Sequence, residues 1–284
     1  MGKILVIGAT GNVGREVVKA LLINGQQVKS AIGITPGPAT LSPSETVPFD
    51  FADSSTWGEA LKDVERVFLM RPPAISDVKK YLFPFIDTAL KHGIKQIVFL
   101  SLQGVQFNPL TPHYKVERYL RRKKAPYTFL RPNFFMQNLM TFYKDDICKH
   151  NEIYLPAGKG KTAFVDVRDI GAVAALVLSG KGHIGKAYTL SGAESLDYYD
   201  VAQIMSGTLG RDIVYMHPSQ EQYADRLKSQ GANEDFIKVQ KMLYFVVRHN
   251  FSSSTASDIE KLLHRHPISF KQFTQDYIHE WDNK

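Results

Sequence analysis

The chain has 284 residues, a formal charge of +7 from 35 Lys and Arg against 28 Asp and Glu, and one cysteine. With 44% apolar residues it can build a packed core, which excludes wholesale disorder, and its length allows one large domain or two small ones. A lone Cys148 excludes an intramolecular disulfide framework and a cysteine-rich zinc site, and fits a reducing compartment.

In chain order, residues 4–7 form a continuous apolar run, as in a strand covered on both faces of a parallel sheet. This start is too short in apolar residues for a signal peptide. Val13, Val17, Val18 and Leu21 then recur at helical spacing, and Asn24-Gly25 ends the helix. Residues 28–32 are a second strand, 33–44 a Pro/Gly/Thr-rich loop, and 47–50 a short third strand. Ser54 or Ser55 caps a helix to about residue 61. Residues 66–70 are a fourth strand, stopped by Pro72-Pro73. A long helix over 77–92, a fifth strand over 96–101, a helix over 113–124 and a sixth strand over 128–131 follow. Strands spaced by helices of this length imply βαβ crossovers and a doubly wound α/β sheet of the Rossmann type.

The pattern changes near residue 150. Strand-like 153–155 and 164–167 flank Gly158-Lys159-Gly160-Lys161, a hairpin-like loop. An Ala/Val-rich helix covers 169–179. Short strands at 188–190 and 213–216 flank a helix over 198–209, and the rest is helical around 219–230, 233–248, 255–264 and 269–282. The expected division is a cofactor-binding domain over 1–150, to which the helix near 167–180 returns, and a smaller mixed domain over 151–284. No stretch approaches the roughly 18 apolar residues of a membrane helix, so a soluble, cytoplasmic protein without membrane partners is expected. The one basic cluster, Arg121-Arg122-Lys123-Lys124, falls at a helix C-terminus, where the dipole favours each cation by roughly 0.3–1 kcal/mol. A polyanion-binding patch is the alternative, but no nucleic-acid signature accompanies it, and no nucleic-acid partner is expected. His249, His264, His266 and His279 lack metal-ligand spacing, so no metal is expected.

Gly8-Ala9-Thr10-Gly11-Asn12-Val13-Gly14 has the form GxxGxxG between a buried strand and an amphipathic helix. Gly8 permits the tight turn, Gly11 lets backbone approach a pyrophosphate, and Gly14 lets helix pack on strand. The helix N-terminus offers unpaired N–H groups to phosphates. In this context the loop predicts a bound dinucleotide. No Asp or Glu occurs between Lys29 and Ser44 to grip a ribose 2′-hydroxyl. NADP(H) is therefore favoured over NAD(H), with Arg15, Lys29 and Thr35 as neighbours for a 2′-phosphate. Asp50-Phe51, after the third strand, fits an adenine site; a strand-end Asp and a core Phe is the equal alternative.

The N-terminal strand and glycine loop, Val98-Phe99-Leu100-Ser101, residues 113–117, residues 127–138 (YTFLRPNFFMQN) and residues 164–170 (FVDVRDI) together resemble the NmrA-like branch of the atypical short-chain dehydrogenase/reductases. The resemblance runs from residue 1 to about 200 and is weak beyond. It implies a Rossmann domain binding NAD(P)(H), and either a quinone or azo-compound reductase or a redox-sensing regulator. It places Met70 and Arg71 along the cofactor, and Pro132, Asn133 and Phe134 beside the nicotinamide.

The chain departs from the larger short-chain family at the Tyr/Lys pair one helical turn apart. By register, the lysine position is His113 and the tyrosine position is Pro109, which has no proton to give. Tyr119 to Lys123 also spells YxxxK but lies too far along the helix, and Tyr114 with Arg118 is a second imitation. This argues against ketone reduction or epimerisation and less against quinone reduction, which asks mainly for proximity and a water-poor cleft. Three residues are candidates for catalysis. His113 would titrate near neutral pH and donate a hydrogen bond; Ser101 sits at a strand's C-terminal end; Tyr114 could act as an acid. For each, a structural role is the alternative. The leading expectation is an NAD(P)H-dependent reductase of a quinone, azo compound or similar aromatic acceptor, with Phe134, Phe135 and Met136 suited to a flat ring. A non-catalytic NAD(P)-binding sensor with a protein partner is the second. Imine or enone reductases and isomerases remain outside both, and oligomeric state is open.

Overall fold

The computed structural model describes residues 2–33 and 44–281. Nine strands occur among them: β1 (Lys3–Ile7), β2 (Val28–Ile32), β3 (Glu45–Pro48), β4 (Val64–Met70), β5 (Gln96–Leu100), β6 (Tyr127–Pro132), β7 (Glu152–Tyr154), β8 (Lys186–Leu190) and β9 (Val214–Met216). Seven form one all-parallel sheet in the order β3-β2-β1-β4-β5-β6-β8. The chain leaves β1 to one side for β2 and β3, then returns to its other side with β4. That reversal makes the switch point at which doubly wound sheets bind ligands, outside the carboxyl ends of β1 and β4.

Helices α1 (Asn12–Ile23), α2 (Trp57–Leu61), α3 (Val78–Lys91), α4 (Pro112–Arg122) and α6 (Val167–Ser179) belong with this sheet; α5 (Asn138–Thr141) does not. α1 and α6 pack closely because Gly171 is a glycine: a Cβ there would lie 2.7 Å from the Glu16 backbone. The core on one sheet face joins Leu5, Leu69 and Phe99 to Leu82, Phe85 and Leu120. Asp77 caps α3, and Asp53, not Ser54 or Ser55, caps the short helical turn before α2, because its carboxylate reaches the Ser55 N–H at 2.9 Å.

The chain divides into two compact units, Met1–Pro132 with Val167–Leu190 and Asp258–Arg265, and Asn133–Asp166 with Ser191–Ser257 and His266–Lys284. The break lies at residue 132, where β6 ends, and not at the expected 150. Besides α6, β8 and α10 (Asp258–Leu263) lie in the first unit, so the returning segment is larger than expected. Strand β8 seals the sheet edge beside β6.

The second unit holds α7 (Tyr198–Leu209), α8 (Gln220–Ser229), α9 (Glu234–Arg248) and α11 (Phe270–Asp276) around a core of Ile153, Phe164, Tyr198, Met205, Phe270 and Trp281. The expected hairpin is absent. β7 pairs in parallel with β9, and residues 164–167 give only a bridge from Val165 to Phe135. Gly160 explains the turn differently: a Cβ there would overlap the Val247 carbonyl, so the glycine serves close packing on the end of α9. Among the described residues no helix is long and apolar enough to cross a membrane.

Candidate cofactor and acceptor site

The glycine loop follows from its sequence. Gly8 adopts φ +76°, a left-handed conformation that side chains rarely tolerate, and a Cβ there would strike the Met70 side chain. Its carbonyl accepts the Gly11 N–H at 3.0 Å, closing the turn. Gly14 lies against that same carbonyl, where a Cβ would overlap it. Gly11 caps α1 with no side-chain hydrogen bond, and among the described residues, its chain neighbours aside, the Gly8 oxygen at 3.4 Å is the nearest atom to its missing Cβ. Thr10, Gly11 and Asn12 are exposed; the Val13 side chain is core, so only its backbone can serve a ligand. A helix N-terminus with free N–H groups beside open glycine surface is a cradle for phosphates, and the donors suit a dinucleotide's pyrophosphate.

Other proposed contacts are sorted by burial. The Asp50 carboxylate accepts the Ala52 N–H at 2.8 Å and is half-exposed at the end of the third strand's loop. Phe51 is 5% exposed, edge-on to Phe49 and Phe85, and is a core ring. Lys29 is 1% exposed and donates to the carbonyls of Glu59 and Lys62, so it is spent inside the fold and unavailable to a 2′-phosphate. Thr35 lies outside the described residues. Arg15 is exposed in the first turn of α1.

A second cluster gathers where β4 and β5 end. Leu69 pairs with Phe99 and Met70 with Leu100, so Arg71 and Ser101 are the first residues beyond the last pair of these neighbouring strands. α4 starts over the face that carries Phe99. Thr111 caps it by accepting the Tyr114 N–H at 3.3 Å, and Pro112 stands in the first turn. This sets the His113 ring 6.0 Å from the Phe99 ring. Tyr114, one residue on, is rotated by about 100° around the helix and does not share His113's direction.

Arg71 donates through one terminal nitrogen to the carbonyls of Pro72 at 2.9 Å, Pro73 at 3.1 Å and Ile75 at 2.7 Å. Its Nε and the Ser101 Oγ are buried without hydrogen-bond partners. Buried polar groups are nearly always paired, so these two orphans following neighbouring strands mark polar atoms that a ligand or an ordered water would satisfy. Burial, with the Arg71 charge as a second cause, pushes the His113 imidazole down to about 3. That corrects the expectation of titration near neutrality: His113 is neutral at physiological pH.

Pro132 is buried at the end of β6, and its carbonyl accepts the Gln103 N–H at 2.9 Å. Asn133 opens the second unit with its side chain already committed, donating to the Ser252 carbonyl at 2.7 Å and accepting the Phe134 N–H at 2.8 Å. Phe134 and Phe135 line a pocket of about 50 Å³ with Tyr143, Tyr198, Gln240 and Tyr244. The YxxxK imitation is structural: Tyr119 donates to Asp87 at 2.7 Å, and Lys123 meets the same carboxylate at 2.8 Å. Arg121 and Arg122 occupy the last turn of α4, as the dipole favours. No group of His, Cys, Asp and Glu that could hold a metal occurs among the described residues.

The model of the NmrA-like family matches residues 1–274. The chain belongs to that family. An NAD(P)H azoreductase of Xenophilus azovorans is 28% identical over 281 residues, covering 96% of both chains. A prestalk A differentiation protein of Dictyostelium discoideum is 28% identical over 279 residues, covering 96% of this chain and 91% of that one. In fold, the chain resembles an NADPH-dependent quinone oxidoreductase of Escherichia coli complexed with NADPH, with TM-score 0.85 and 24% identity, covering 97% of this chain and 99% of that one. What sequence reasoning missed is the polar cluster as a unit. Its signal was an arginine at the end of an apolar strand, directly before Pro72-Pro73.

Proposed function

We propose that this protein is an NAD(P)H-dependent oxidoreductase that reduces a small aromatic acceptor of the quinone or azo class, with NADP(H) preferred over NAD(H). The observation that carries the reading is the glycine cradle at the switch point, in a chain of this family. The backbone of residues 8–14 would hold the pyrophosphate and Asp50 the adenine side. Arg15 is the remaining described cation for a 2′-phosphate, with no carboxylate on β2 to repel it. The bound dinucleotide supplies a hydride. The chain's own residues position the acceptor, exclude water and stabilise charge. His113, being neutral, is a hydrogen-bonding group and not an acid, so the proton that completes reduction comes from solvent.

Steady-state oxidation of NADPH and NADH with a panel of quinones and azo compounds tests this reading. Turnover with NADPH ahead of NADH is expected; inertness toward every acceptor would refute it. Inertness with tight, redox-selective cofactor binding by calorimetry would favour the sensor reading, which the missing Tyr/Lys pair supports.

A further inference from the structure

We propose that Arg71 Nε and Ser101 Oγ together bind the oxygen of the acceptor and stabilise the negative charge it gains, which selects quinones over acceptors that form no oxyanion. The inference rests on the reductase reading and narrows its substrate class.

Three observations carry it. First, both atoms are buried and unpartnered, and Ser101 is only 4% exposed. Second, Arg71 and Ser101 directly follow Met70 and Leu100, the last pair of the β4–β5 register, at the carboxyl edge of the sheet, where such folds bind ligands. Third, the cation is held in place: Arg71's terminal nitrogen is tied to three carbonyls of its own loop, which leaves Nε–H as a fixed donor. Arg Nε can only donate, and a serine hydroxyl can donate, so the pair can offer two hydrogen bonds to one oxygen, and the fixed guanidinium charge favours an oxygen that becomes anionic. The neutral His113 beside them adds no second cation and no proton. Donors fixed before the reaction at a water-poor edge stabilise developing charge without reorganisation.

The chemistry balances without further reagents. With the dinucleotide bound, a hydride from its dihydronicotinamide would leave with the C–H electron pair and form an O–H bond at one quinone oxygen, the nicotinamide being left oxidised. The quinone's carbonyl electrons move onto its other oxygen, giving the hydroquinone monoanion at Arg71 and Ser101. One proton from water completes the hydroquinone. A triphenylmethane dye cation takes the same hydride at carbon and only loses its charge, so it gains nothing from the pair.

The test uses the full chain with Ser101→Ala and Arg71→Lys. The lysine keeps the charge and can reach the loop carbonyls, but lacks the Nε–H. The ratio of kcat/KM for benzoquinone to that for a triphenylmethane dye cation should fall about 10²-fold in each variant, the size seen when one oxyanion donor is removed. NADPH affinity, read by fluorescence titration, separates this loss from damage to the cofactor site. A second readout needs no turnover: with NADP⁺ present, 4-nitrophenol should bind as its coloured phenolate below its solution pKa, and the band should weaken in both variants. A parallel fall for both acceptors, or a phenolate band unchanged in the variants or absent from the parent, overturns the proposal. If no acceptor is reduced by the parent protein, the reductase reading falls, and the phenolate band alone decides whether the pair binds an oxyanion.

Discussion

His113 makes the folded state sensitive to acid in a direction that can be worked out. Its imidazole falls from an ordinary 6.5 to about 3 in the fold, because burial and the Arg71 charge both oppose protonation. The unfolded chain therefore takes up a proton below 6.5 that the folded chain refuses until about 3. Stability is unaffected above 6.5, declines as pH falls through that window, and declines no further from this group below about 3. Each pH unit inside the window costs about 1.4 kcal/mol, so moving from pH 7 to pH 5 removes about 2 kcal/mol. The perturbation is His113→Gln, which keeps a polar side chain and cannot titrate. Urea unfolding of parent and variant at both pH values gives the double difference, in which all other titrating groups cancel. The parent should lose about 2 kcal/mol more than the variant over that interval. The variant's own packing loss against Phe99 is a constant offset at both pH values. Equal losses in parent and variant would refute the assignment of a depressed, buried imidazole.

Gly11→Glu should abolish NADPH binding by calorimetry while circular dichroism and Tm stay near the parent's, since Gly11 is exposed at an ordinary φ of −81°; retained affinity would sink the loop assignment. Arg15→Ala should lower the NADPH-to-NADH preference without weakening NADH, and an unchanged ratio would remove Arg15 from the 2′-phosphate site. Glu117→Ala leaves the largely covered Arg131 without the bidentate partner it now meets at 2.9 and 2.6 Å. That should cost about 3–5 kcal/mol in urea unfolding, and a second change, Arg131→Met, should recover much of it.

The readable parts of the fold were those fixed by local pattern. The ten consecutive elements from β1 to β6 follow from apolar runs, helical spacing and glycine or proline stops, because a strand covered on both faces must be apolar throughout. The second unit was harder for a physical reason. Residues 152–154 and 214–216 are three residues long with only the central one buried, and they pair across a long separation. Neither carries its partner in its own pattern, and the adjacent glycines imitated a hairpin while serving the contact of Gly160 with α9. β8 reads as an isolated short strand until the sheet edge at β6 is known to be open.

The site divides in the same way. The glycine loop is legible because every requirement it meets (positive φ at Gly8, open space at Gly11, close approach at Gly14) is met by the residue's own missing side chain. Lys29 shows the opposite case: a lysine at the end of a cofactor strand looks like a phosphate ligand, and only the Glu59 and Lys62 carbonyls reveal it as an internal tie. His113 is the sharper example. A histidine at a helix start reads as a neutral-pH group, and nothing near it in sequence says otherwise. Its charge state is set by burial against Phe99 and by Arg71 at the end of a different strand. The same arginine that ties down its loop thus adds to the burial that keeps the imidazole uncharged, and its Nε–H, like the Ser101 hydroxyl, is unspent. A site built this way favours acceptors that draw on fixed donors over those that need an acid, and that is the chemistry left to a chain with no tyrosine at the position of Pro109.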